Sequence, residues 1–97
     1  MRTLVYIGDP TCEPCVAYKR AVIEPLMERY PENIEFHVAG DERASEIGAR
    51  KRVTVYPTIV VERGGEEEFR FTAFLQPEEL AEIIEGEGVP LLSGGAL

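Results

Sequence analysis

The chain has 97 residues, of which 44% are hydrophobic and 29% charged, and its formal net charge is −8. This length supports one modest hydrophobic core, so we expect a single domain over residues 1–87 followed by a flexible tail over residues 88–97. The negative charge disfavours nucleic acid and anionic membranes as partners. No stretch is suited to a membrane span or a signal peptide, and we therefore expect a cytoplasmic protein.

The N-terminal half predicts a strand, a long helix and a second strand. Residues 3–7 are apolar throughout, as in a central strand that is covered on both faces. Residues 13–30 carry two adjoining apolar stripes at helical spacing, and Pro25 within them predicts a kink. Residues 34–38 alternate between apolar and polar, which is typical of a strand near a sheet edge. This order predicts a parallel strand pair joined by a right-handed crossover.

The C-terminal half predicts a short helix at about residues 42–50 and then a second central strand. That strand should begin near Pro57, because a proline in a central strand is tolerated at its start. The remaining predicted elements are a glycine hairpin over residues 63–66, an alternating edge strand over residues 68–72 and a helix from Pro77 to about Gly86. Together they predict an α/β fold of order β-α-β-α-β-β-α, with one four-stranded mixed sheet and helices on both faces.

The two cysteines, Cys12 and Cys15, stand between the first predicted strand and the first predicted helix. A helix N-terminus carries partial positive charge, which favours a thiolate over a thiol. This position makes Cys12 the candidate nucleophile. Cys15 lies about one turn further along, close enough to attack a mixed disulfide formed by Cys12. Pro14 suits the first helical turn, where a backbone N–H has no partner within the helix.

Two other uses of a cysteine pair are disfavoured by the composition. A zinc site needs about four ligands, but the chain has one histidine and scattered carboxylates besides the two thiols, so we expect no metal. A purely structural disulfide in so short a loop would restrain the unfolded chain little. The histidine, His37, is interpreted as an exposed residue of an edge strand rather than a catalytic one.

Cys12-Glu13-Pro14-Cys15 and the later segment Val53-Thr54-Val55-Tyr56-Pro57-Thr58 together resemble the thioredoxin superfamily over about residues 2–86. The resemblance implies a thioredoxin-like fold, a cis peptide bond before Pro57 and a redox-active disulfide between the two cysteines. It also implies a substrate-binding surface made of Thr11, Glu13, Pro14, Tyr56 and Pro57. Thioredoxins commonly bury an acid where this chain has Tyr6. Residues 72–75 lack the Gly-Gly turn of glutaredoxins, which favours a protein dithiol donor over glutathione.

The function implied by the resemblance is that of a thiol-disulfide oxidoreductase that reduces protein disulfides without a bound cofactor. Its partners would be protein disulfide substrates and a protein or small dithiol electron donor, such as a thioredoxin reductase-like enzyme, in electron transport and cell redox homeostasis. We expect a monomer, and the scarcity of side-chain amides favours a thermophilic source. The alternative is a non-catalytic thioredoxin-fold adaptor that docks a partner strand beside Pro57.

Overall fold

The computed structural model of the chain describes residues 1–38, 49 and 52–86. Its strands are β1 (Thr3–Gly8), β2 (Ile34–Val38), β3 (Thr58–Arg63) and β4 (Glu66–Phe71). They form one sheet in the order β2-β1-β3-β4. β1 runs parallel to β2 and antiparallel to β3, and β3 runs antiparallel to β4. The predicted four-stranded mixed sheet is therefore confirmed, with β1 and β3 in the centre.

The burial of the central strand β1 and of the edge strand β4 follows their sequence patterns. The four residues Leu4, Val5, Tyr6 and Ile7 of β1 are each at most 1% exposed, because β1 is covered on both faces. The two glycines of the β3–β4 hairpin have φ angles of +61° and +86°, a backbone conformation that glycine adopts without steric cost. Phe71 of the edge strand β4 is buried, as the alternation of polar and apolar residues there predicts.

The predicted first helix forms, but it is not uniform. It consists of α1 (Glu13–Tyr18), a π-helical segment over Lys19–Ile23 and α2 (Glu24–Arg29). The N–H of Glu24 donates to the carbonyl of Lys19, five residues earlier. Pro25 follows directly in the first turn of α2, where its missing N–H removes a helical hydrogen bond. The interruption that we predicted as a kink at Pro25 thus takes the form of a wider π-helical turn before it.

The last helix, α3 (Pro77–Glu85), packs on the same face of the sheet as α1 and α2. It begins with a capping box, in which Gln76 and Glu79 each bind the other's backbone, and such a pair satisfies N–H groups that the first turn leaves free. The side chains of both helical segments and of the sheet share one core: Leu4, Tyr6, Tyr18, Ile23, Leu26, Ile34, Ile59, Val61, Phe71, Leu75, Leu80, Ile83 and Ile84.

The opposite sheet face carries a smaller cluster of Val5, Ile7 and Val60, against which Val53 packs. We predicted that a short helix at about residues 42–50 covers this face. That segment, apart from residue 49, and the predicted tail over residues 88–97 lie outside the described residues. Both therefore stay predictions.

Candidate functional site

The sheet brings the cysteine loop and the Tyr56-Pro57 segment to the same edge. β1 leads into the cysteine loop and β3 follows Pro57, and Ile7 near the end of β1 pairs with Thr58 at the start of β3. Two antiparallel neighbours place the end of one beside the start of the other. The peptide bond between Tyr56 and Pro57 is cis, the geometry that the resemblance implies at this position.

A third loop reaches the same edge from β4. Phe71 at the end of β4 pairs with Ile59, so the chain that follows leaves the sheet beside the start of β3. In this loop Phe74 is 47% exposed, and its ring meets the ring of Tyr18 edge to face, with 5.1 Å between the centroids. The hydroxyl of Tyr18 donates to the carbonyl of Leu75. The loop after β4 is thereby attached to α1, the helix that carries Cys15.

Cys12 and Cys15 form a disulfide, with 5.2 Å between their Cα atoms. Cys12 is the N-cap residue of α1: its sulfur accepts a hydrogen bond from the N–H of Cys15 at 3.3 Å, and its carbonyl accepts one from the N–H of Val16 at 3.1 Å. Cys12 is half-buried, whereas Cys15 is only 2% exposed. A large molecule approaching the disulfide therefore meets Cys12 first.

Asp9 organises the loop that leads into Cys12. Its carboxylate accepts hydrogen bonds from the backbone N–H and the hydroxyl of Thr11, at 2.8 and 2.7 Å, and its carbonyl accepts the N–H of Cys12 at 3.0 Å. The two hydrogen bonds from Thr11 lower the pKa of Asp9, because they favour the charged form. Asp9 was not among the predicted site residues, although an Asp before a turn commonly binds the backbone two residues further on.

Tyr6 supplies a buried contact from the sheet to the disulfide turn. Its hydroxyl donates to the carbonyl of Cys15 at 2.7 Å. Burial raises the pKa of Tyr6 to about 12, so the phenol stays protonated at neutral pH. Where thioredoxins commonly place an acid, this chain thus places a neutral donor that points at the backbone of Cys15. Spacing along the chain does not reveal such a contact.

A cavity of about 150 Å³ lies beside the disulfide turn. The ammonium group of Lys19 at its border sits 4.5 Å from the centre of the Phe36 ring on β2, which places this border on the β2 side of α1. The residues that line the cavity are Tyr6, Gly8, Asp9, Pro10, Cys15, Val16 and Lys19. Its walls are mainly apolar apart from Asp9 and Lys19.

The predicted substrate-binding residues lie in two segments at this sheet edge, one that joins β1 to the first turn of α1 and one that precedes β3. Thr11, Glu13 and Pro14 are exposed around the cysteines, Tyr56 is 37% exposed, and Pro57 is buried. The structure adds exposed apolar residues that the sequence analysis missed, namely Val16, Val55 and Phe74. Their apolar character predicts burial, so only the fold reveals their exposure. Whether these residues bind a substrate stays a prediction.

His37 is less exposed than we predicted. It lies on the edge strand β2 in register with Ile7, and its side chain is only 11% exposed. Its Nε2 atom is 3.5 Å from the carboxylate of Glu35 and makes no hydrogen bond with the described residues. The predicted place of His37 on an edge strand is therefore confirmed, but the predicted exposure of its side chain was wrong.

Among the residues that the structure describes, no group of three or more His, Cys, Asp or Glu side chains is placed to hold a metal ion. In the same part of the chain, no helix has the length and apolar character that crossing a membrane requires.

No protein-family model and no curated protein matches the chain. Several solved structures do match the chain. Thioredoxin from Fasciola hepatica is 27% identical with a TM-score of 0.66, over 87% of this chain and 78% of that one. Thioredoxin 1 from the thermophilic eubacterium Thermosipho africanus is 22% identical with a TM-score of 0.67, over 86% and 90% of the two chains. Mitochondrial thioredoxin 3 from Saccharomyces cerevisiae is 20% identical with a TM-score of 0.64, over 87% and 76%.

These similarities and the site define the class of protein. The mixed sheet with a disulfide at the helix N-terminus is a thioredoxin-like α/β fold, and the cysteine pair in this fold indicates a redox function. The chain belongs to the thioredoxin superfamily.

Proposed function

We propose that this protein is a thiol-disulfide oxidoreductase that reduces protein disulfides through Cys12 and Cys15. The observation that carries the proposal is the unequal placement of the two sulfurs at one helix N-terminus. Cys12 caps the helix and is half-buried, while Cys15 is 2% exposed. This arrangement suits a reaction in which one thiol attacks an external disulfide and the other acts only afterwards.

In the first step, the Cys12 thiolate of the reduced protein attacks one sulfur of the substrate disulfide. A mixed disulfide forms, the substrate's S–S bond breaks, and the departing thiolate takes up a proton. The N–H of Cys15, which lies 3.3 Å from the Cys12 sulfur in the oxidised protein, supports the negative charge on Cys12. The partial positive charge of the helix N-terminus acts in the same direction.

In the second step, Cys15 loses its proton and its thiolate attacks the Cys12 sulfur. The Cys12–Cys15 disulfide forms and the second substrate thiolate leaves and is protonated. Two electrons have then passed from the protein dithiol to the substrate, and no cofactor takes part. A protein or small dithiol, such as a thioredoxin reductase-like enzyme, returns the protein to its reduced form. In a reducing cytoplasm the reaction runs toward substrate reduction.

The surface around Cys12 suits a protein substrate. Exposed apolar side chains come from α1 and from the loops before β3 and after β4, with Val16, Tyr56 and Phe74 as examples, and apolar surface of this kind marks docking sites. An extended substrate segment can run beside Tyr56-Pro57 and contact the exposed residues Thr11, Glu13 and Pro14 around Cys12. The net charge of −8 favours neutral or basic segments.

Reduction of insulin disulfides with dithiothreitol as the donor tests the proposal. We expect the protein to accelerate the reaction over dithiothreitol alone and the double variant Cys12→Ser/Cys15→Ser to have no effect. Equal rates with and without the wild-type protein would contradict the proposal and favour the adaptor that docks a partner strand beside Pro57. A peptide-binding measurement with the double variant would then test the adaptor directly.

A further inference from the structure

Tyr6 connects the central strand β1 to the first turn of α1, the helix that carries Cys15. Its side chain is 1% exposed, and its hydroxyl donates to the carbonyl oxygen of Cys15 over 2.7 Å. The same oxygen also accepts the N–H of Lys19 within the helix. A carbonyl has two lone pairs, so both donors can bind it at once. The hydrogen bond from Tyr6 is therefore additional to those that the helix itself provides.

The Tyr6 ring lies close to the backbone of Gly8 at the end of β1. A Cβ atom on Gly8 would come within 3.1 Å of the ring and 3.3 Å of its hydroxyl, so glycine at this position leaves the room that the ring occupies. The ring of Tyr18 on α1 lies with its centroid 6.1 Å from that of Tyr6. A larger residue at position 8 would therefore disturb the contact between the Tyr6 hydroxyl and Cys15.

We propose that Tyr6 is a positioning residue for the second step of the exchange reaction, in which it holds the turn of Cys15 within reach of Cys12. The inference rests on the proposed function for its role in turnover. Once the disulfide is reduced, no covalent bond keeps the two sulfurs together, and the first turn of a helix lacks the full set of internal hydrogen bonds. A buried donor from the central strand then limits how far this turn can move.

The consequence is a higher effective concentration of the Cys15 thiolate at the Cys12 sulfur. In the second step this thiolate forms the Cys12–Cys15 bond while the bond between Cys12 and the substrate breaks, and the substrate thiolate takes up a proton. Such an intramolecular step depends strongly on how well the reacting atoms are held. The same restraint favours the closed disulfide at equilibrium. Because its pKa is raised to about 12, the Tyr6 phenol keeps its proton and remains a donor at neutral pH.

Tyr6→Phe removes the hydroxyl and keeps the ring. The matched control is Tyr18→Phe, which removes another buried hydroxyl from the same core, but one that donates to Leu75 rather than to a cysteine. The first readout is the equilibrium constant for disulfide formation in glutathione redox buffers. We expect Tyr6→Phe to lower it by up to about fivefold, the largest effect that the loss of one hydrogen bond would have. This equals about 20 mV, because tenfold corresponds to about 30 mV for two electrons. Tyr18→Phe should leave it unchanged.

The second readout is the amount of mixed disulfide with insulin that acid quenching traps during turnover. It should rise several-fold in Tyr6→Phe relative to the wild type. Gly8→Ala provides an independent variant, because the added methyl would displace the Tyr6 ring while its hydroxyl is kept. It should shift the equilibrium constant in the same direction as Tyr6→Phe.

The outcomes separate this inference from the proposed function. If Tyr6→Phe and Gly8→Ala leave the equilibrium constant at the wild-type value, or if Tyr18→Phe shifts it equally, the positioning role of Tyr6 is overturned whether or not insulin is reduced. If the wild-type protein fails to reduce insulin while the Tyr6 variant shifts the equilibrium constant as expected, the proposed function fails and the restraint on Cys15 stands. Should Tyr6→Phe not fold, the measurement on Gly8→Ala decides.

Discussion

The backbone N–H of Cys15 donates a hydrogen bond to the sulfur of Cys12 over 3.3 Å. Cys12 thus caps the helix with its own side chain, a place that serine, threonine or aspartate oxygens usually take. When the disulfide is reduced, the same N–H group can turn toward a thiolate instead of a bonded sulfur, and a hydrogen bond to a charged acceptor is the stronger kind. In the reduced protein, the helix terminus should therefore favour the thiolate form of Cys12 over the thiol.

Glu13 should oppose this effect, because an exposed carboxylate directly after Cys12 disfavours a second negative charge beside it. We predict that Glu13→Gln increases the fraction of Cys12 thiolate at neutral pH, about twofold for a charge near the surface. A pH titration of thiolate absorbance in the reduced proteins measures this fraction. Glu78→Gln, in the first turn of α3, is the control and should match the wild type. An unchanged or smaller thiolate fraction in Glu13→Gln would contradict the prediction.

The two cysteines should differ in what their loss does. Cys12→Ser should abolish the reduction of protein disulfides, because the remaining sulfur is 2% exposed and a large substrate cannot reach it. Cys15→Ser should still attack but not release its substrate, so covalent complexes accumulate. Non-reducing electrophoresis after incubation with oxidised substrate separates these results, and each variant is the control for the other. Trapping by Cys12→Ser, or by neither variant, would show that the proposed order of attack is wrong.

Much of this site could be predicted because its elements follow from patterns of neighbouring residues in the sequence. A fully apolar stretch predicts a central strand, and the cysteines directly after it predict a place at the strand-to-helix junction. The structure confirms both, with β1 in the centre of the sheet and Cys12 at the N-cap of α1. The position of the final helix likewise follows from Pro77 and from the apolar spacing after it.

What could not be predicted depends on contacts between residues far apart in the chain. The hydroxyl of Tyr6 and the carbonyl of Cys15 meet only because the helix returns over β1. The apolar side chain of Phe74 suggests a core residue, but in the loop after β4 it is 47% exposed. Arg2 appears as an ordinary basic residue near the N-terminus, but its side chain is 2% exposed and pairs with Glu68 on β4. The spacing of residues along the sequence does not predict such contacts.

Phe74 should contribute to docking of protein substrates. An exposed aromatic side chain held against Tyr18 at 5.1 Å offers contact area at little cost in side-chain entropy. We predict that Phe74→Ala lowers kcat/KM for insulin about five- to thirtyfold, as the loss of an aromatic contact of about 1 to 2 kcal/mol would. The reaction with a small aromatic disulfide, which needs no docking surface, should change less than twofold. Equal losses with both substrates would indicate damage to the redox centre instead of lost docking.

The pair formed by Arg2 and Glu68 predicts how stability depends on pH. Nε of Arg2 donates to the Glu68 carboxylate at 2.7 Å, and Arg63 donates to its other oxygen at 3.2 Å. Arg2 also reaches the carbonyl of Ile83 in the last turn of α3 at 3.3 Å. This network therefore joins the residue before β1 to the edge strand β4 and to the end of the last helix.

The pKa of Glu68 is lowered, first by the hydrogen bond from Arg2 and then by Arg63. The folded protein therefore binds the Glu68 proton less tightly than the unfolded chain does. The stability that this pair contributes is fully present when the pH is above the ordinary pKa of glutamate. This contribution is lost as the pH falls through the lowered pKa of Glu68.

We predict that Glu68→Gln lowers the free energy of unfolding near neutral pH and makes this free energy fall less steeply in acid. Urea unfolding at several pH values between about 3 and 7 measures both. Glu66→Gln, an exposed change at the start of the same strand, should follow the wild-type curve. If the curve of Glu68→Gln ran parallel to that of the wild type over this range, the carboxylate would not be the group whose titration weakens the fold.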